Sequence, residues 1–328
     1  VRKLKVAVVG AESLIGKELR AVLLERNLPA GSIKLIDEQE VVDVFTEFEV
    51  ATSPGVTGGL FDDVELVFIC GKSHDTERYL PWLKSKGITA IDLSSYLNRE
   101  KDIPLVISGV NEEKAKKHRG LIALPHPLTI IIASLLKPLI KRYRLLEVIV
   151  NAFQPASEYG ACGLEELYQQ TVKVLNFAEL PKKVFGRQLA FNIFPAISPS
   201  ELGGATEENI IKEVGIVLED NLPISLRLIQ AAVFHSFAIS FFLVIEEEPT
   251  SSELMKTLAG ASGIRLAKGR EKDSGPVEAA GKNEIIVGKI KKDKRRSSAY
   301  WIWATADNLR RGSAINAVEI AELITRGD

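Results

Sequence analysis

Cysteine is nearly absent. Cys70 and Cys162 are the only two in 328 residues, which excludes a disulfide framework, and no Cys and His residues share the close spacing of a structural zinc site. Neither sign of charge dominates: 42 Lys and Arg stand against 43 Asp and Glu, for a net charge of -1. That balance gives no support for a nucleic-acid partner or for an electrostatically held membrane surface. No apolar run reaches the length of a membrane span, and a strand opens by residue 4 with no signal-like region before it, so a cytoplasmic protein is expected. What the chain does have is 46% hydrophobic residues, over a length that can fill two cores.

The organising stretch is residues 4–26. Leu4-Lys5-Val6-Ala7-Val8-Val9 is apolar and β-branched almost throughout, the pattern of a parallel strand buried on both faces. Gly10 breaks it, and residues 15–24 carry apolar side chains at helical spacing, giving the strand, turn and helix of a dinucleotide-binding unit. The turn is unusual for that purpose. Gly10 and Gly16 frame Ala11-Glu12-Ser13-Leu14, which has no central glycine and places a carboxylate where an anion would sit. A negative charge is itself favourable at a helix start, so Glu12 stands in the place of the ligand. At the end of the next strand, residues 32–36, Asp37 is placed to hold a ribose hydroxyl and to repel an extra phosphate. It also reads as part of an acidic surface run with Glu38 and Glu40.

Further strands are expected at 65–71, 88–93, 104–107 and 121–124, with a helix at 73–83 capped by Ser73 and a polar helix at 112–117. This alternation predicts an α/β, Rossmann-like parallel sheet over residues 1–128, completed by an amphipathic helix at 313–325 whose apolar side is Ala314, Ala317, Val318, Ala321 and Ile324. Residues 129–312 read as a second, α+β domain: helices at 129–140, 163–174, 206–214 and 252–258, with strands at 146–150, 285–290 and 299–304. Pro138 should bend or shorten the first of these helices. Thr206 is a good N-cap, the basic run 291–296 is expected as a solvated hairpin, and residues 178–205 form an excursion with little periodicity. Residues 225–248 are the longest strand-like tract. Its segment 234–244 is too apolar to face water, so either a second subunit or the helices of the same chain cover it. Phe237 and Phe241 share one face and Phe242 the other.

Several tracts carry a resemblance over essentially the whole length: Val6-Ala7-Val8-Val9-Gly10-Ala11, Asp92-Leu93-Ser94-Ser95, Asp102-Ile103-Pro104-Leu105-Val106, Gln154-Pro155-Ala156-Ser157, Gly163-Leu164-Glu165-Glu166-Leu167, and the specific Ala306-Asp307-Asn308-Leu309-Arg310-Arg311-Gly312. The chain resembles the aspartate-semialdehyde dehydrogenase family. The resemblance implies a homodimer that uses NADP and phosphate to interconvert aspartyl phosphate and aspartate semialdehyde in amino-acid biosynthesis. It also implies a thioacyl cysteine, a positioning glutamine, an acid/base histidine and cationic anion ligands. Its cofactor positions are Gly10, Glu12, Ser13, Gly16, Asp37, Gly71 and Asn308.

Carried over residue by residue, the chemistry departs from the family pattern. Leu124-Pro125-His126-Pro127-Leu128-Thr129 places Pro127 at the nucleophile, and proline has no group that attacks an acyl phosphate. Gln230 stands at the carboxylate-binding arginine and Phe237 at the histidine; His235 lies two residues earlier, a shift of about 7 Å along a strand. Asn98, with Arg99 beside it, falls at the phosphate-binding arginine. Asn209 and Ile211, with Lys212 next to the latter, match the substrate-binding glutamate and lysine. Glu12 and Ser13 replace a threonine and the middle glycine of the cofactor loop, and Gln154 alone is retained from the inner site. This pattern resembles the Usg-type branch, which lacks the cysteine. The expectation is a dimeric binding or regulatory homologue with no NAD(P) or weakly bound NAD(P), no metal, and an open question over a heteromeric protein partner. The alternatives are different chemistry in the same cleft, built from His126, His235, Glu158 and Cys162, or a divergent NAD(P)-dependent semialdehyde dehydrogenase. Each of the four residues also has a plainer reading: His126 as a helix cap, His235 satisfied within the sheet, Glu158 facing solvent and Cys162 packed under its helix.

Overall fold

The computed structural model describes residues 4–26, 28, 30–37, 48–52, 60–196 and 206–325. Glu38, Glu40 and the 197–205 end of the excursion lie outside them. The chain divides into two compact units, residues 1–125 with 313–328 and residues 126–312. His126 and Pro127 therefore belong to the second unit.

In the first unit, β1 (Leu4–Val9), α1 (Leu14–Arg26), β2 (Ala30–Asp37), β3 (Phe48–Thr52), β4 (Leu66–Ile69), α2 (Ser73–Lys86), β5 (Thr89–Asp92) and β6 (Leu121–Ala123) follow in order. They make a six-stranded parallel sheet in the order β3-β2-β1-β4-β5-β6. Because side chains alternate along a strand, Val6, Val8, Leu35 and Phe68 share one core with Leu19 and Val22 of α1 and with Ala314, Ala317, Val318 and Ala321. The helix Ile315–Thr325 thus returns to cover this sheet. Two local expectations fail, and a third is met at its expected bounds by a different helix type. Residues 104–107 make only an isolated bridge, Leu105 to Ala123, since the turn that follows ends the pairing. Residues 112–117 form a 3-10 helix. Ser73 is not the cap of α2: its hydroxyl donates to Ser94 O, and the Asp75 carboxylate instead accepts from Lys72 N at 2.7 Å.

The second unit carries α3 (Pro127–Ile140), β7 (Leu145–Gln154), α4 (Gly160–Leu175), β8 (Ile193–Pro195), α5 (Glu207–Leu218), β9 (Ile224–Ala231), β10 (Phe237–Ile245), α6 (Ser251–Ala259), β11 (Ile264–Leu266), β12 (Ile285–Lys292) and β13 (Ala299–Ala306). Its mixed seven-stranded sheet has the order β11-β12-β13-β10-β7-β9-β8. α3 begins two residues before the expected start because Pro127 is a favourable first residue, lacking the N–H that would go unused there, and Pro138 is carried inside it. The strand-like stretch 225–248 holds two strands, β9 ending at Ala231 and β10 starting at Phe237. Between them the chain turns through Ser236, held at φ 72.

The register of β10 explains its composition. Ile239, Phe241 and Leu243 stand opposite Ala152, Val150 and Val148 on one side and Ala304, Ile302 and Tyr300 on the other, all buried. The other face carries Ile149, Phe153, Phe242, Trp301 and Trp303, which are exposed or half-buried. There the Phe242 and Trp301 rings lie 4.8 Å apart, centroid to centroid. The basic run is the hairpin between β12 and β13, with Asp293 accepting from Arg295 N, Arg296 N and Trp301 Nε1.

Candidate functional site

The first candidate region is the loop between β1 and α1. Gly10 has φ 71, and a Cβ there would lie 2.5 Å from the backbone of Gly71. At Gly16 a Cβ would meet the Gly10 carbonyl at 2.2 Å, so both glycines serve close backbone packing. Gly71 is similarly tight: its Cβ would collide with the Asp75 carboxylate. The loop's donors are largely committed within the chain. Gly10 N donates to Ile36 O, Ser13 N to Gly10 O, Glu12 N to Asp37 Oδ2 at 2.9 Å and Gly16 N to Ser13 Oγ at 2.9 Å, while Ser13 Oγ donates to Cys70 O. Ser13 is the side-chain cap of α1, a role that the central glycine of a phosphate loop leaves open. The Glu12 carboxylate pairs with Lys17 at 3.1 Å and Arg20 at 2.9 Å. Asp37 is half-buried and fastens the loop, so a plain surface role does not describe it. These residues fit a dinucleotide pyrophosphate poorly, because side chains of β2 and of the loop hold the amides of Glu12 and Gly16 and the Glu12 carboxylate puts a like charge beside it.

Elsewhere in this unit, Leu97–Arg99 is a 3-10 turn carrying a half-buried Asn98 and an exposed Arg99. It is fixed by buried Asp92, which accepts from Leu97 N, Ser94 N, Ser94 Oγ and Thr76 Oγ1. Cys70 is buried, and desolvation followed by the Asp92 charge pushes its thiol well above the ordinary range, so it is inert.

The second candidate region is the start of α3. His126 is its N-cap, Nδ1 accepting from Leu128 N at 3.2 Å, and Pro127 is the first helical residue. On its other side His126 Nε2 lies 2.9 Å from Glu158 Oε2, the two side chains being 13% and 8% exposed. Glu158 Oε1 accepts from Asn308 Nδ2 at 2.7 Å, and Asn308 Oδ1 accepts from Ser236 N and from Ser157 Oγ. Glu213 of α5 holds the same corner from outside, accepting from His126 N and Thr129 Oγ1. Burial alone lowers the imidazole pKa, but the charge and hydrogen bond of Glu158 and the charge of Glu213 together raise it above its ordinary value. Burial and the neighbouring Glu158 charge likewise raise the Tyr159 phenol, against a hydrogen bond from Gln154.

The remaining expected site residues separate into those that join this network and those that do not. Gln154 Nε2 donates to Gln230 Oε1, and Gln230 Nε2 donates to Gln154 O and Ala231 O. Both glutamines are buried, so the Gln230 amide is spent within the chain. Phe237 is fully buried in β10. His235 is not in a strand, so the spacing argument of about 7 Å does not apply to it. It is half-buried in the turn before β10, between Phe234 O, which accepts from Ser157 N, and Ser236 N, which donates to Asn308. Its backbone thus borders the Ser157–Asn308 contact. Cys162 is exposed on α4 and belongs to no part of the network. Glu158 does not face solvent. Asn209, half-buried, donates its backbone N–H to Thr206 Oγ1; half-buried Ile211 and exposed Lys212 follow it on α5. Among the described residues, no group of His, Cys, Asp and Glu could hold a metal ion, and no helix is long and apolar enough to cross a membrane.

Glu213, Ser157 and Thr129 are the site residues that sequence reasoning missed. Glu213 had a signal: it sits three residues after Ile210 and one before Val214, both buried, so a carboxylate borders the apolar stripe of α5.

A parallel dinucleotide-type sheet and a separate mixed-sheet unit define an oxidoreductase-like architecture. Residues 5–118 match the family model described as semialdehyde dehydrogenase, NAD binding domain, and residues 136–311 match semialdehyde dehydrogenase, dimerisation domain. The aspartate-semialdehyde dehydrogenase of Rickettsia conorii is 30% identical over 98% of this chain and 97% of its own, and that of Prochlorococcus marinus is 32% identical over 98% and 96%. The solved structure of aspartate semialdehyde dehydrogenase II from Vibrio cholerae complexed with ASA superposes with a TM-score of 0.91 at 27% identity, covering 100% of this chain and 99% of that one. The chain belongs to the aspartate-semialdehyde dehydrogenase family.

Proposed function

We propose that this protein is a Usg-type homologue within the family, without semialdehyde dehydrogenase activity, and that it acts as a dimeric binding or regulatory protein. The observation that carries this reading is Pro127 at the first position of α3, where the family places its cysteine. A thiol at a helix start is activated by the helix dipole. Pro127 supplies no nucleophile, and the cap beside it is an imidazole already engaged by Leu128 N and Glu158. The two cysteines do not replace it, Cys70 being buried and Cys162 lying on the exposed side of α4. Gln230, with its amide spent on Gln154 and Ala231, offers no charge to a substrate carboxylate. NAD(P) is bound weakly or not at all, for the reasons set by the loop, and the homodimer forms through the unit spanning 126–312.

The test is a steady-state assay of the purified protein with aspartate semialdehyde, phosphate and NADP or NAD. No reduced cofactor above the rate of a protein-free control is expected; saturable turnover contradicts the reading. His235 keeps one observation in favour of retained chemistry, since its turn borders the Ser157–Asn308 contact. Turnover abolished by H235A would favour that second reading.

A further inference from the structure

We propose that α4 carries, on its solvent side, a docking stripe for the α4 of a second copy of this chain, the two helices running antiparallel about a twofold axis. Tyr168, Val172 and Leu175 fall at positions i, i+4 and i+7 and share one side of the helix. They are 54%, 39% and 66% exposed, and Phe177, in the turn beyond, is 99% exposed. Scattered apolar residues are ordinary on a surface, whereas a continuous stripe marks a contact. The buried side of α4 is partly polar: Glu166 accepts from Val184 N and Phe185 N, and Gln170 from Leu189 N and Ala190 N. Hydrogen bonds to the excursion thus hold that side inward and leave the apolar stripe outside. Phe177 is held at φ 54, a conformation that a bulky residue rarely adopts, so a strained backbone presents a ring to solvent.

A second copy is the occupant that the charges select. Glu165 and Lys173 lie on the same side of the stripe, about 12 Å apart along the helix axis, with Glu165 nearer the N-terminus. A twofold axis through the middle of the stripe sets that side beside its own copy and reverses the direction. Glu165 of each helix is then brought toward Lys173 of the other, and Tyr168 toward Val172. A purely acidic or purely basic partner would leave one of the two charges unmatched. The stripe lies in the tract that matches the dimerisation domain, on an element other than β10 and β13, which carry Phe242 and Trp301. Two copies of such a stripe bury roughly 1,000 Å² in all, the range of weak contacts, so this contact adds to the homodimer proposed above and does not replace it. It fails separately from that homodimer, because W301E leaves the stripe intact and L175E leaves the sheet face intact.

Sedimentation equilibrium of the full-length protein from about 5 to about 300 μM tests it, the expected dissociation constant of the contact being about 100 μM. The weight-average mass is expected to rise above that of the low-micromolar species as concentration increases. L175E, a change at an exposed position, is expected to abolish the rise while leaving the low-micromolar mass unchanged. Circular dichroism melts check that each variant is folded, and Y168E replaces L175E if the latter is not. K173E is expected to weaken the association about threefold, and E165K/K173E, which exchanges the two charges, to restore it. A constant mass overturns the proposal and leaves a partner of different sequence as the occupant of the stripe. A rise that survives folded L175E or Y168E overturns it, as does loss of the low-micromolar dimer in either variant, which would put α4 in the main interface. Association of E165K/K173E no tighter than that of K173E overturns the antiparallel pairing.

Discussion

His126 Nε2 stands 2.9 Å from Glu158 Oε2 while His126 Nδ1 accepts the Leu128 amide at 3.2 Å, so one imidazole ties the start of α3 to the segment after β7. The capping bond requires Nδ1 unprotonated, and the Glu158 contact then fixes the proton on Nε2. Protonation strengthens the ion pair at the expense of the cap.

The raised pKa of His126 gives a pH dependence whose sign follows from linkage. A histidine whose folded pKa lies above its unfolded value of about 6.5 contributes stability that is fully present below that value and is lost as pH rises through the folded pKa. The stability difference between wild type and E158Q is expected to be largest below the unfolded value of about 6.5 and to shrink as pH rises above it through the raised folded value. Urea midpoints measured across that range check it, and a difference that grows with pH contradicts it.

Glu166 and Gln170 hold the excursion that follows α4. Buried Glu166 accepts from Val184 N and Phe185 N, and buried Gln170 accepts from Leu189 N and Ala190 N while donating to Pro181 O and Arg187 O. E166A strands two amides and is expected to destabilise the chain by about 2 kcal/mol or more. Chemical denaturation measures this, and an effect below about 0.5 kcal/mol would show that water replaces the carboxylate.

Gly10 combines φ 71 with a Cβ position 2.5 Å from the Gly71 backbone. G10A must strain the loop and push β1 from β4, at a cost of about 2 kcal/mol or more. Thermal melting is the check. A change of less than 1 °C would mean that the loop relaxes freely.

The uncovered face of the second sheet, with Phe242 and Trp301 in ring contact and Trp301 41% exposed, is the surface expected to pair in the homodimer. Obligate interfaces bury on the order of 2,000 Å² and persist on dilution. Sedimentation equilibrium at low micromolar concentration should give the dimer mass for wild type and a lighter average for W301E. A single monomeric species for wild type defeats this expectation.

The sheet of the first unit was legible because its strands are short apolar runs punctuated by glycine and polar turns, a pattern that burial on both faces imposes. Strand β3 was not: Phe48-Glu49-Val50-Ala51-Thr52 has neither a continuous apolar run nor a bounding glycine. In the second unit, Thr206 could be read as a cap from its type alone and does accept from Asn209 N. The Glu158–His126 contact leaves no mark in the local sequence, because the two residues lie on different elements and meet through tertiary packing; only the family resemblance brought them into one candidate cleft. For His235, strand spacing misled, since a turn residue at φ 72, Ser236, interrupts the tract. Asp37 was recognised by position, but its partner, the Glu12 amide, belongs to another element and left no mark in the local sequence.

The central claim is that no residue of this chain forms an acyl-enzyme, proline standing at the first position of α3. The most direct measurement is intact-protein mass spectrometry after acid quench of the purified protein incubated with aspartyl phosphate, the acyl donor of the reverse reaction. The account predicts the unmodified mass for wild type. For P127C, which restores a thiol at the first helical position, it predicts at most slow labelling without turnover, because buried Phe237 moves no proton and Gln230 holds no carboxylate as an arginine does. An aspartyl adduct on the wild-type chain, lost on Cys162→Ser or Cys70→Ser, would contradict it.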